Sequence, residues 1–162
     1  MRRILLLAIA VTIASAVSCA PSQSRPKDDP IASVQATDSE MNAAIAKARE
    51  SLPKFFERWK HPGPGESDFN LKLKFTEGDN VEHIWIGQLE GSPGRITGVV
   101  NDTPENIHSV KLGQRIPIPE DRISDWLYLR NGKMVGNWTV RALFKKMSPE
   151  EVKSMKARLA DP

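Results

Sequence analysis

The chain has 162 residues, 40% hydrophobic and 27% charged, which is the size and balance of one ordinary globular domain with an extra segment. Its formal charge is +3, but removal of a leader carrying Arg2 and Arg3 leaves 21 basic against 20 acidic side chains. A near-neutral chain without basic residues interleaved with aromatics does not fit a nucleic-acid-binding face, which needs concentrated positive charge.

The N-terminus, MRRILLLAIAVTIASAVSCA, has two arginines, an apolar run from Ile4 to Val17 and then small residues, the pattern of a secretory signal peptide over residues 1–18. At about 14 residues the run is short for a membrane span, which needs about 20. Cys19, the chain's one cysteine, follows Ala16-Val17-Ser18 as in a bacterial lipobox, so we expect cleavage before it and lipidation of its thiol. Ala16 departs from the usual leucine, and ordinary cleavage after Ala20 is the alternative. With Ala20 after the cysteine, where retention signals of the inner membrane place Asp, the expected location is the cell envelope, on the periplasmic face of the outer membrane in a two-membrane host. Residues 19–36 are rich in Pro, Ser, Gln and Asp without periodicity and read as a tether, reaching at most roughly 55 Å when extended. Residues 37–162 form the expected single domain.

Thr37-Asp38-Ser39-Glu40 has the form of a capping box, and Met41, Ala44, Ile45, Ala48 and Leu52 then follow a helical period. Pro53 interrupts this helix or starts a second turn whose Phe55, Phe56 and Trp59 read as core. Phe69, Leu71, Leu73 and Phe75 alternate with polar residues and predict a half-buried strand. Val81–Leu89 places Val81, His83, Trp85 and Leu89 on one face and Glu82, Ile84, Ile86 and Gln88 on the other. Apolar residues on both faces predict a central strand. With RITGVVN after Gly91–Gly94, residues 69–100 read as a three-stranded meander. The prolines of Arg115-Ile116-Pro117-Ile118 predict an edge strand. A strand from Ile123 to Leu129 turns at Asn131-Gly132 into Met134-Val135, residues 138–144 fit strand or short helix equally, and Ser148-Pro149-Glu150-Glu151 opens a C-terminal helix. The expected fold is α+β: an N-terminal helix packed on a curved antiparallel sheet, open or closed into a small barrel, with a helix at the C-terminus.

Met41–Ile45, Glu82-His83-Ile84-Trp85, Gly98 with Asn101 and Pro104, Gly113, Ile123-Ser124-Asp125-Trp126, and Gly136 with Thr139 and Arg141 together resemble the YegJ-like bacterial family of unknown function, domain-of-unknown-function family 2314. The resemblance spans roughly residues 38–143. It implies a small bacterial protein, exported in some members, and supplies no catalytic residues.

Alternation sets Asp125 with Ile123, Leu127 and Leu129 on the apolar face, opposite Ser124, Trp126 and Tyr128. A carboxylate there requires a cation or backbone amides, and His83 and Arg141 are the available cations. The residues admit a cleft built from His83, Asp125 and Arg141, or a structural ion pair or turn cap, which is the stronger reading. Glu82, His83 and Asp125 are the candidate proton carriers for a small envelope hydrolase or lyase. Glu82 and His83 are adjacent on a strand and point to opposite faces, and His61, His83 and His108 lie in separate segments, so neither set has metal-ligand spacing. Neither a phosphate-cradling loop nor a nucleophile elbow is present, and no cofactor is expected. The reading that asks least of the sequence is a binding module, lipid-anchored to the membrane, for an envelope protein, peptide or glycan, with Trp126, Trp138 and Arg141 as candidate contacts.

Overall fold

The computed structural model describes residues 39–161. The expected signal peptide, Cys19, the expected tether and the expected Thr37 cap lie outside the described residues. Helices α1 (Ser39–Glu50) and α2 (Leu52–Lys60) are followed by strands β1 (Glu66–Glu77), β2 (Asn80–Ser92), β3 (Arg95–Val100), β4 (Arg115–Ile118), β5 (Ile123–Arg130) and β6 (Lys133–Gly136). Helices α3 (Trp138–Ala142) and α4 (Pro149–Arg158) close the chain, with single 3-10 turns at Glu120–Arg122 and Leu143–Lys146. Pro53 falls in the first turn of α2, where its missing N–H costs nothing. Ser148 and Glu151 exchange the two bonds of a capping box at α4.

The six strands form one antiparallel sheet in the order β4-β3-β2-β1-β5-β6. It is open, so the barrel alternative is not the one adopted. The meander occupies its centre and β4, with Pro117, one edge. At the other edge Ala160 N–H donates to the Met134 carbonyl of β6 at 2.8 Å, so the chain's own end covers that strand.

One sheet face packs on the helices. Leu71 and Leu73 of β1 stand opposite Ile86 and Ile84 of β2, and all four are buried with Trp126, Tyr128 and Val135 against Ala48 and Phe55. The Phe55 ring meets Trp126 at 5.5 Å and Phe69 at 5.8 Å, and Phe69 stacks on Tyr128 at 5.0 Å. Such aromatic pairs add about 0.5–1.5 kcal/mol each beyond the area they bury. Gly136 follows from this packing: its φ is +83° and a Cβ would lie 2.5 Å from the Trp126 ring. A side chain there would be strained by the backbone and would displace the ring.

Two bulges correct the alternation read from sequence. In β5 the register slips at Ser124, so Leu73 faces Ile123 while Lys72 faces Asp125. Ile123 and Trp126 therefore share the core face, and Asp125 does not lie with Ile123. In β2 the register to β3 slips between Gly87 and Glu90, and Gln88 takes φ +46°. That bulge turns Leu89 away from His83 and Trp85 onto Gly98, which sits against Ile86 and Leu89.

Candidate functional site

The opposite face carries a polar row: Lys74 is registered to His83 and Lys72 to Trp85 across the β1–β2 ladder. The Lys72 ammonium stands 5.1 Å from the centre of the Trp85 ring, while Trp85 and His83 are half-buried and Lys74 is exposed. His83 reaches across β1 to β5, with Nδ1 2.7 Å from Ser124 Oγ. The Ser124 hydroxyl donates to the Lys72 carbonyl at 3.1 Å, so the chain of bonds is complete when Nδ1 carries the proton and Nε2 is the basic nitrogen. Burial first, then Lys72 and Lys74, lower the His83 pKa to about 4. At neutral pH the ring is uncharged and weakly basic. Ser124 is itself buried and committed to a backbone carbonyl, so this contact does not make a nucleophile and base.

The other proton carriers hold backbone. Glu82 accepts from Glu105 N–H at 3.0 Å and Asn106 N–H at 3.1 Å, and Glu77 accepts from His108 and Ser109, so two carboxylates fasten the loop between β3 and β4. That loop inserts the buried Ile107 into the core. Asp125 is fully buried and accepts from Trp126 N–H at 2.8 Å, Trp138 N–H at 3.0 Å, Thr139 N–H at 2.8 Å and the Thr139 hydroxyl at 2.6 Å. It thereby caps α3, whose own N-cap residue, Asn137, sits in the left-handed region and makes no side-chain cap bond. Burial pushes the Asp125 pKa up, against the pull of these four donors.

Neither His83 nor Arg141 bonds to Asp125, although the charge of that carboxylate still acts on the Arg141 guanidinium. Arg141 instead donates to the carbonyls of Gly136 at 3.3 Å and Ala160 at 2.7 Å, strapping the chain's end to α3. Trp126 is buried, its indole N–H shared between Ala48 O at 2.9 Å and Ser51 Oγ at 3.1 Å, which removes it from the binding candidates. Trp138 is half-buried, between the Lys47 ammonium at 5.2 Å and the Arg141 guanidinium at 5.9 Å. Among the described residues no group of three His, Cys, Asp or Glu side chains could hold a metal ion, and no helix is long and apolar enough to cross a membrane. The row that sequence reasoning missed is Lys72, Lys74, Trp85 and Ser124. Its signal is the lysine alternation of β1 set against His83 and Trp85 of β2, readable once the hairpin at Glu77–Asn80 fixes the register, whereas Ser124 joins from β5.

These features define a small α+β domain with helices on one face of its sheet and a cationic, tryptophan-bearing row on the other. The chain belongs to the family described as "Uncharacterized protein conserved in bacteria (DUF2314)", whose model matches residues 38–160. It is 31% identical over 119 residues to "Uncharacterized protein YegJ" of Escherichia coli (strain K12), covering 74% of this chain and 76% of that one. It is 30% identical over 132 residues to a putative ankyrin repeat protein of Neisseria meningitidis serogroup B, covering 76% of this chain and 52% of that one, about half the relative's length. No solved structure matches the chain.

Proposed function

We propose that this protein is a non-enzymatic binding module of the bacterial cell envelope, anchored to the membrane through lipidated Cys19. One observation carries the non-enzymatic part: two of the three candidate proton carriers are spent on the protein's own backbone, Glu82 on the Glu105 and Asn106 amides and Asp125 on those of Trp126, Trp138 and Thr139, while the third, His83, is half-buried against the Ser124 hydroxyl and weakly basic. An acid–base catalyst needs its proton within reach of substrate, and Asp125 is buried while Glu82 is tied to the loop it fastens. The row of Lys74, His83 and Trp85 supplies the recognition surface, with an amphipathic ring beside cationic side chains suited to a partner carrying negative charge.

The lipobox supports the anchor, and the residue after the cysteine supports the outer membrane. Labelling cells with a radioactive fatty acid should mark the wild-type chain and leave Cys19→Ser unmarked; label on the variant or none on the wild type ends the lipoprotein reading. Cross-linked capture from intact envelopes should weaken in steps with Lys74→Glu and Trp85→Ala. A partner retained at full yield by both variants would move the recognition surface elsewhere. A turnover lost outright with His83→Ala in a folded protein would replace binding with catalysis.

A further inference from the structure

The C-terminal end of the domain carries a second surface. Phe144 and Met147, from the last 3-10 turn and the residue after it, line a shallow apolar groove with Pro149 and Val152 of α4, and Lys153 and Lys156 stand at its rim. In α4 the residues Pro149, Val152, Lys153 and Lys156 recur at the spacing of a single helical stripe, while Glu150 and Glu151 fall outside it. The helix buries none of its own residues, and the Lys156 ammonium lies 5.7 Å from the centre of the Phe144 ring.

A separate observation places this groove relative to the anchor. Exposed Lys145, in the same 3-10 turn as Phe144, forms an ion pair with Glu40 in the first turn of α1. Glu40 is next to Ser39, where the described fold begins, so the segment that leads back to Cys19 joins the domain beside the groove.

We propose that the Phe144–Lys156 groove is a membrane-docking face, which sets Lys153 and Lys156 on anionic phospholipid headgroups and Phe144 and Met147 at the interface of the leaflet holding the Cys19 acyl chains. The orientation rests on the lipid-anchor reading, whereas the headgroup contact does not. Charge complementarity selects the occupant: basic side chains beside modest apolar relief fit a phosphate-bearing surface. The acyl anchor supplies the affinity, and the groove fixes which way the domain faces. The Trp85 row is then free to meet a partner.

The test uses the chain from residue 19 onward with Cys19→Ser, which carries no acyl chain, mixed with vesicles and sedimented. Vesicles of phosphatidylcholine with about one-third phosphatidylglycerol should retain the protein and pure phosphatidylcholine should not, with retention falling as salt shortens the screening length. The pair Lys153→Glu/Lys156→Glu should lower partitioning by about tenfold or more with unchanged thermal unfolding. The pair Lys54→Glu/Lys133→Glu, equal in charge change and exposed elsewhere, should lower it by much less. Equal retention on both vesicle types, equal loss from the two charge-reversal pairs, or full competition by soluble polyphosphate overturns the docking face. Fatty-acid labelling of Cys19 is read independently, so unlabelled cells with intact vesicle binding would overturn the anchor and its orientation and leave the headgroup contact standing.

Discussion

Asp125 and Glu82 perform the same task in two different solvents. Each carboxylate collects backbone N–H groups from a segment distant in sequence: Asp125 takes the start of α3 and Glu82 takes the loop between β3 and β4. Asp125 does so with no exposed surface, whereas the bonds to Glu82 lie at the surface. A donor stranded in the interior loses its partner and has no water to replace it, while a surface donor is rehydrated at once. Like bonds in the two places should therefore differ severalfold in their worth to the fold.

The largest effect expected is at Asp125. Asp125→Ala strands three backbone amides and the Thr139 hydroxyl and removes the cap of α3, so urea unfolding should show a loss of about 3–5 kcal/mol. Asp125→Asn, which keeps the volume and one acceptor oxygen, should lose about half of that. Arg141→Ala removes the strap to Gly136 and Ala160 and the cation beside the Trp138 ring and should cost about 1–2 kcal/mol. Both side chains act near the start of α3, Asp125 on the Trp138 and Thr139 amides and Arg141 on the Gly136 carbonyl, and the carboxylate's charge supports the guanidinium, so the double mutant should cost less than the sum by about 1 kcal/mol. A coupling of several kcal/mol would restore a direct ion pair between them.

An ion pair is one of the partners the sequence alone offers Asp125, beside backbone amides, and its failure has a local cause. The β1–β3 meander, the Asn131-Gly132 hairpin, the edge strand with Pro117 and the Ser148 capping box are all legible because each is written within a few neighbouring residues. The family motifs identify the family for the same reason. The bulge at Ser124 is not legible, since nothing in Ile123-Ser124-Asp125-Trp126 marks an unpaired residue, and one slipped position moves Trp126 from a candidate contact into the core. The partners of Asp125 are mostly backbone N–H groups, which every residue but proline possesses and no side-chain pattern reveals. Residues 138–144 read equally as strand or helix because α3 is five residues long and its cap comes from another strand. Ser124 and Lys72 enter the candidate site by pairing across strands, which only the register supplies.

His83 sits between the two carboxylates in exposure and should be intermediate in effect. Its folded pKa of about 4 lies below the ordinary 6.5, so as pH falls the unfolded chain takes up the proton first. The stability this residue supports is therefore full above about pH 6.5 and is lost as pH falls from there towards 4. At about 1.4 kcal/mol for each tenfold change in proton affinity the ceiling is about 3 kcal/mol. Solvent reaching the half-buried ring reduces the expected value to about 1–2 kcal/mol. Lys72 and Lys74 from β1 and Ser124 from β5 are the groups that face it, so the slope belongs to this cluster. Urea unfolding of wild type and His83→Gln between pH 7 and 4.5 isolates it: the difference between them should shrink or reverse as pH falls, and parallel curves would place the ring in water.

Glu82→Ala should be the mildest of the three. Its two amide bonds close the loop near Ile107, but Glu77 still holds the neighbouring His108 and Ser109 amides, and water can take over at Glu105 and Asn106. Global stability should fall by about 1 kcal/mol or less. The local consequence is sharper, because a loop held at several points opens at the point released: hydrogen exchange at the Glu105 and Asn106 amides should accelerate by about tenfold while the strand amides of β1 and β2 stay protected. The Glu77 carboxyl is held below its usual range by the amides of His108 and Ser109, so its half of the clamp should persist in moderately acid solution and release only as pH falls through that lowered value. If Glu82→Ala instead cost as much as Asp125→Ala, exposure would not be what separates the two carboxylates, and the loop carrying Ile107 would have to be counted as part of the core it covers.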